Sequence, residues 1–309
     1  MKWVETLAKR KNDLALWVEG ARLRTLPLAV APILIASGAA SALQAFDWTK
    51  TLLALAVALF LQIGVNYAND YSDGVRGTDS NRVGPLRLTG SGTFEPKAVK
   101  AVAFGFLGLG ALAGFALIAI SGLWWLLAVG ALAVLAAWFY TGGKRPYGYA
   151  GFGEVVVFLF FGIVAVFGTV YVQYPSMFMV WESTLILAPG AIGLGLYAAA
   201  VLMINNIRDI ETDRPAGKKT LAVRLGKTAA KTIYFVMIWL PLALGWTYQV
   251  LQLPAAFWFP LAIVLLLLPL TLIVATAKTP RENILALKLT SYTALAYAIL
   301  LGWGLKVLI

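Results

Sequence analysis

Two stretches of the chain carry residue types that could do chemistry. Asn66, Asn69, Asp70 and Asp73 close a long apolar run, Leu52 to Val65, where ionised side chains are costly and rarely accidental. At ~100° per residue these four fall within roughly one quadrant of a helical turn, a cluster of oxygens on one face where the helix leaves hydrocarbon. Asn205, Asp209 and Asp213, spaced i, i+4, i+8, close another apolar run and again share one face. Oxygen-only clusters suit a hard divalent cation, and Mg²⁺ in particular when substrate phosphates complete its shell. Asp79 and Glu211 extend the acidic set. For each of them a solvated loop charge and a ligand are both open, and a polar helix cap is the plain alternative for Asp70 and Asp73.

Cations are interspersed with these acids: Arg82, Arg87, Lys144, Arg145, Arg208, Lys218 and Lys219. Carboxylates alone would make a bare cation site, and basic residues alone a headgroup contact. Together they suit a metal-bridged, Arg/Lys-clamped polyphosphate whose leaving-group charge is neutralised as it develops. At a membrane surface such a substrate has a diphosphate head and a lipid tail. The reaction class is ionisation of an allylic diphosphate and transfer of its prenyl group.

The elements that must position these residues are membrane helices. Of 309 residues 61% are hydrophobic and 13% charged, more apolar surface than a soluble domain of this length can bury. The absence of Cys excludes disulfides and thiolate metal sites, and the absence of His excludes zinc–His sites and imidazole acid–base chemistry. Apolar runs fall at roughly 25–43, 51–70, 98–120, 123–140, 154–173, 184–207, 229–249, 257–277 and 286–307. The expected architecture is all-α: a single membrane domain of nine transmembrane helices, with a tight hairpin at Ser121-Gly122. The start of the chain, Met1 to Arg24, lacks the apolar core of a signal peptide, so insertion is expected to use the first helix.

The net charge of +11 is distributed over alternate loops, which points to topology and away from nucleic acid. Basic residues cluster before helix 1 and after helices 2, 4, 6 and 8; the opposite side has Lys50 and Lys306. The N-terminus is therefore expected in the cytoplasm and the C-terminus outside, with both acidic clusters facing the cytoplasm. Each cluster closes the second helix of a four-helix half, which suggests an internal repeat of helices 1–4 (25–140) and 5–8 (154–277), with helix 9 added. Trp124, Trp125, Trp246, Tyr248, Trp258 and Trp303 read as interfacial belt. Glu154 reads as favouring a helix N-terminus, and Gly105, Gly108, Gly110 and Gly114 as close helix packing.

At Asn69-Asp70-Tyr71-Ser72-Asp73 and at Asp209 to Asp213 the chain resembles the UbiA-type membrane prenyltransferases, which carry an N-D-x-x-D motif and a second D-x-x-x-D motif. The family's usual downstream Asp would fall at position 77. This chain has Gly77 there and an Asp at 79. That variant, together with Asn81 to Gly92, Tyr140 to Glu154, Asn205 to Gly226 and Ala21 to Pro32, resembles the branch of the family that prenylates 1,4-dihydroxy-2-naphthoate. The resemblance implies nine helices around a central cavity capped by the two motif loops, in a bacterial cytoplasmic membrane. It implies transfer of a polyprenyl group from polyprenyl diphosphate to the naphthoate, with loss of CO₂ and diphosphate, giving demethylmenaquinone. Mg²⁺ on the diphosphate would be held by Asn69, Asp73, Asp209 and Asp213, with Asp70 and Asp79 as further candidates. Lys144 and Arg145, after Tyr140, would face the diphosphate; Arg22 or Arg24 would steady the aromatic acid or serve as topology charges. Asn66, Arg82, Arg87, Tyr140, Asn205, Arg208, Lys218 and Lys219 complete the expected substrate contacts. The competing readings are a UbiA-type enzyme for another acceptor, such as 4-hydroxybenzoate, and a cation transporter. A transporter should carry its ionisable residues near the bilayer midplane, without interspersed cations. The sequence leaves oligomeric state and prenyl chain length open.

Overall fold

A computed structural model describes residues 13–78 and 87–307, and no strand occurs among them. The chain runs through helices α1 (Pro27–Ala42), α2 (Trp48–Val75), α3 (Pro96–Ser121), α4 (Leu126–Phe139) and α5 (Gly153–Tyr171). It continues through α6 (Trp181–Asp213), α7 (Lys227–Val250), α8 (Pro254–Thr276, broken after Leu261) and α9 (Pro280–Lys306). Each of the nine apolar runs lies on one of these elements. Among the described residues six helices are long and apolar enough to cross a membrane. Two bent pairs raise the figure to as many as eight: Asp13–Thr25 with α1, at 45°, and the halves of α8, at 41°. Helix α4 has 14 residues, about 21 Å at 1.5 Å per residue, short of ~30 Å of hydrocarbon. The protein is a multi-span membrane protein, and helix lengths support six to eight spans where the apolar runs suggest nine.

Local sequence sets the helix ends. Pro27, Pro96 and Pro280 sit in first turns, where the missing N–H costs nothing. Thr279 and Glu282 form a capping box at the start of α9. Gly122 (φ 73°) takes the left-handed conformation that ends α3 and makes the expected hairpin. The motif helices run further than the apolar runs suggest. Helix α2 continues to Val75, ahead of Gly77 at φ 70°, and α6 continues to Asp213, two residues before Pro215. Both clusters, Asn66 to Asp73 and Asn205 to Asp213, therefore lie on helix, within about two and a half turns of its C-terminal end.

Helix α6 is the most buried span, packed between α5, α7 and α9, and α2 lies along α3. Helix α9 closes the bundle against α1, where a Cβ on Gly38 would lie 2.1 Å from the Gly302 carbonyl oxygen. Backbone-to-backbone approach of this kind is how membrane helices gain van der Waals contact without a hydrophobic drive. On α3, Gly110 meets Leu61 of α2, whereas Gly105 and Gly108 face no neighbour, so the packing reading holds for only part of that glycine series. The exposed residues include Leu112, Leu132, Leu265, Leu272 and Trp124, Trp125, Trp246, Trp258 and Trp303, as lipid contact requires. Tyr248 departs from the belt reading: it is buried and donates to the Ile186 carbonyl at 3.1 Å.

Candidate active site

A cavity of about 440 Å³ is lined mainly by α1 to α6. Its deeper part is apolar, walled by residues such as Ile33, Val57, Leu117, Val129 and Phe161. Phe161 belongs to a π-helical stretch of α5 (Phe158–Val164), a local widening often found where a helix lines a site. The polar end is built from the last turns of α2 and α6 and from the loops that follow α4 and α6. Asn66, Asn69 and Asp73 reach it from α2, and Asn205, Asn206, Asp209 and Asp213 from α6. Two acidic faces 132 or more residues apart in sequence thus share one chamber.

The charges at this end are interlocked. Lys218 Nζ lies 3.6 Å from Asp73 Oδ2 and 3.7 Å from Asp213 Oδ1, so one ammonium spans both motifs. Arg87 Nη2 lies 3.6 Å from Asp73 Oδ2. Arg208 holds Asp209 in a bidentate pair, 2.6 and 2.5 Å, and also reaches Asn205 Oδ1 at 3.0 Å. All three cations are largely buried, where such pairs are strong only when geometry is good. Asn69 Oδ1 accepts from the Thr141 hydroxyl at 2.7 Å, and Asn66 donates to the Ala21 carbonyl at 2.8 Å. Arg22, at φ 54°, and Thr25 bring the start of α1 to the same end.

Other expected site residues take different places. Asp70 is buried behind the cavity wall, its two oxygens accepting the Leu88 and Thr89 backbone N–H groups at 2.9 Å each. That spends its carboxylate on holding the loop that presents Arg87, and the catalytic or metal reading of Asp70 gives way to an anchoring one. Lys144, Arg145 and Lys219 are exposed and off the cavity lining, and Arg24 is half-buried and likewise off it. The cavity draws its cations from Arg22, Arg87 and Lys218. Asp79 and Arg82 lie outside the described residues. Tyr140 lines the cavity as expected.

Sequence reasoning missed two residues. The Tyr149 hydroxyl donates to Asp73 Oδ1, and its ring carries Lys218 Nζ at 4.7 Å and the Arg76 guanidinium at 5.4 Å. Its backbone carbonyl accepts from Lys219 N–H at 2.8 Å. Burial, and then the Asp73 charge, push the Tyr149 phenol well above its ordinary range, so it stays a neutral donor. Arg76, at the end of α2, donates to the Thr141 and Gly143 carbonyls, tying that helix to the loop after α4. The only sequence signal for either was its place in a motif-bearing loop, since spacing on one helix cannot report a contact between three segments.

The donor set fits Mg²⁺ in one specific sense. Among the described residues no three acidic side chains close around a single point. The carboxylates of the described residues thus come to the chamber in pairs and smaller sets. Pairs of carboxylates with neighbouring Asn oxygens suit an ion whose remaining ligands are water and substrate phosphate.

Comparison with known proteins agrees with this construction. Residues 29–292 match the model of the UbiA prenyltransferase family. The chain is 54% identical to a 1,4-dihydroxy-2-naphthoate octaprenyltransferase of Mycobacterium tuberculosis, over 71% of this chain and 73% of that one. It is 41% identical to the protein of the same description from Escherichia coli, over 72% of each. In fold it resembles the apo structure of a UbiA homolog from Aeropyrum pernix K1, with a TM-score of 0.62 at 18% identity, covering 90% of this chain and 97% of that chain. It also resembles a UbiA homolog from Archaeoglobus fulgidus bound to GPP and Mg²⁺, with a TM-score of 0.58 at 15% identity, covering 93% and 99%. With the family match spanning most of its helices and both acidic motifs at one end of one cavity, the chain belongs to the UbiA prenyltransferase family.

Proposed function

We propose that the protein transfers a polyprenyl group from polyprenyl diphosphate to 1,4-dihydroxy-2-naphthoate, in the menaquinone pathway of a bacterial cytoplasmic membrane. The carrying observation is the Asp73–Lys218–Asp213 bridge at the mouth of an apolar cavity. A site with carboxylates, cations and an apolar chamber matches a diphosphate head and a prenyl tail, and the relatives described as naphthoate octaprenyltransferases supply the acceptor.

Asp73, Asp209 and Asp213, with Asn69, would hold Mg²⁺, which when bound supplies charge neutralisation to the departing diphosphate. Lys218 and Arg87 clamp phosphate oxygens and stabilise the same charge. The prenyl C–O bond breaks as diphosphate leaves. The ring carbon that bears the carboxylate then forms a bond to the prenyl carbon. Loss of CO₂ returns the C–C electron pair to the ring, so the immediate product is the quinol form of demethylmenaquinone. Arg22, on the cavity wall, pairs the acceptor's carboxylate. The apolar walls keep water from the prenyl cation, and an electron-rich dihydroxynaphthalene needs positioning more than a strong base.

The same reading includes nine spans, with α4 as a short ninth, an N-terminus in the cytoplasm and a cytoplasmic active site. It includes the repeat of α1–α4 and α5–α8, each half carrying its acidic motif on its second helix. The test is a Mg²⁺-dependent assay on purified protein with a polyprenyl diphosphate, comparing the naphthoate with 4-hydroxybenzoate. Naphthoate prenylation with CO₂ release, lost on adding EDTA, is the expected result; preference for the benzoate sinks the acceptor assignment. The chain has no cysteine, so single cysteines placed at Lys50 and Lys144 report topology by their labelling from opposite sides.

A further inference from the structure

Glu154 is buried, 3% exposed, at the start of α5. Its Oε1 accepts from Asn206 Nδ2 at 2.8 Å, while Oε2 is buried with no hydrogen-bond partner. A carboxyl group kept in a membrane bundle with one oxygen unsatisfied is costly, and a helix N-terminus alone does not account for that burial. None of the diphosphate or metal contacts described above involves it. What Glu154 does touch is Asn206, and Asn206 lines the cavity.

Depth decides what Asn206 can meet. It lies three residues before Asp209 on α6, about 4.5 Å further toward the apolar part of the chamber. A diphosphate held at the level of Asp209 places its reacting prenyl carbon about one turn deeper, and an attacking ring must stand at that depth. Tyr140, Val156 and Leu202 line the same chamber. Gly153 keeps this corner close: a Cβ there would lie 3.0 Å from Leu202 and 3.3 Å from the Tyr140 hydroxyl.

Chemistry decides what Asn206 can bind. With one amide N–H committed to Glu154, which fixes the plane of the amide, Asn206 has its second N–H and its carbonyl oxygen to offer. That oxygen accepts hydrogen bonds and repels carboxylate, so the ligand group it takes is a hydroxyl. We propose that Asn206 is the anchor for a ring hydroxyl of the aromatic acceptor, and that Glu154 is a positioning residue that fixes the orientation of the Asn206 amide. This rests on the prenyl-transfer reading above and assigns its acceptor subsite. The anchor turns the ring so that its carboxylate points away from α6. As the ring gains positive character during attack, its hydroxyl becomes a stronger donor, so the bond tightens toward the transition state.

The test uses the full-length enzyme with Mg²⁺, geranylgeranyl diphosphate, 1,4-dihydroxy-2-naphthoate and its two mono-O-methyl ethers. The wild type is expected to discriminate at least about tenfold in kcat/KM against one of the ethers. Asn206→Leu and Glu154→Leu are expected to lose that discrimination by slowing the free hydroxyl substrate about tenfold or more, with KM for the diphosphate within about twofold. Glu154→Gln, whose amide oxygen can still accept from Asn206, is expected to restore most of it. An unchanged hydroxyl-to-ether ratio in Asn206→Leu overturns the proposal. So does a rise in KM for the diphosphate that matches the loss of acceptor turnover. A wild type that accepts 4-hydroxybenzoate but no naphthoate defeats the naphthoate assignment alone, and the ratio is then read on the benzoate and its methyl ether.

Discussion

The Tyr149 hydroxyl donates a hydrogen bond to Asp73, while the backbone carbonyl of the same tyrosine accepts from Lys219. One residue in the loop after α4 therefore touches the first acidic motif and the segment that follows the second. Tyr149→Phe removes the hydroxyl but keeps the ring beneath Lys218. A hydrogen bond to a charged group contributes about 1.5–3 kcal/mol. We expect kcat/KM to fall about tenfold or more, with a lowered melting temperature and a raised Mg²⁺ requirement. An activity equal to wild type at limiting Mg²⁺ would show that Asp73 needs no such support.

Asp73 and Asp209 each face the cavity, from different helices. Asp73→Ala and Asp209→Ala are expected to reduce turnover by about a thousandfold or more, since each removes stabilisation of developing charge. EDTA should do the same to the wild type, reversibly on adding Mg²⁺. Detergent-solubilised variants should elute like the wild type in size-exclusion chromatography. Near-normal turnover of either variant contradicts the metal-bridged mechanism.

Asp70 provides a contrast from within the same motif. Its carboxylate holds the Leu88 and Thr89 amides, so Asp70→Ala should loosen residues 87–94. The expected cost is about 2–3 kcal/mol of local stability, read as faster amide exchange or proteolysis in that loop. Its Mg²⁺ dependence should stay close to wild type while KM for the diphosphate rises through misplacement of Arg87. A large Mg²⁺ shift with a protected loop would return Asp70 to the metal site.

Glycines on different helices should respond with opposite sign. At Gly38 an added Cβ meets the backbone of Gly302, so Gly38→Ala forces α1 and α9 apart and should cost about 1–3 kcal/mol. At Gly105 a Cβ meets nothing within 4 Å, and Gly105→Ala should be neutral or stabilise by up to about 1 kcal/mol through helix propensity. Thermal melts of the two variants in the same detergent check the pair.

Much of this protein is fixed by sequence because membranes restrict the options. A backbone without water must close its hydrogen bonds within each helix, so apolar runs locate helices, and nine runs fall on nine elements here. Helical periodicity placed Asn69 with Asp73, and Asn205 with Asp209 and Asp213, on shared faces, and the structure brings both faces to one cavity. What periodicity leaves undecided is the direction in which a single residue on that face is used. Asp70 and Asp73 are three residues apart, yet one holds a loop and the other lines the chamber. The basic residues show the same limit: Lys218 enters the site while its neighbour Lys219 stays exposed. Tyr149, Arg76 and the Glu154–Asn206 pair act across segments separated by 52 to 76 residues. Those contacts depend on how α2, α5 and α6 and the intervening loops meet in space, so only the tertiary structure decides them.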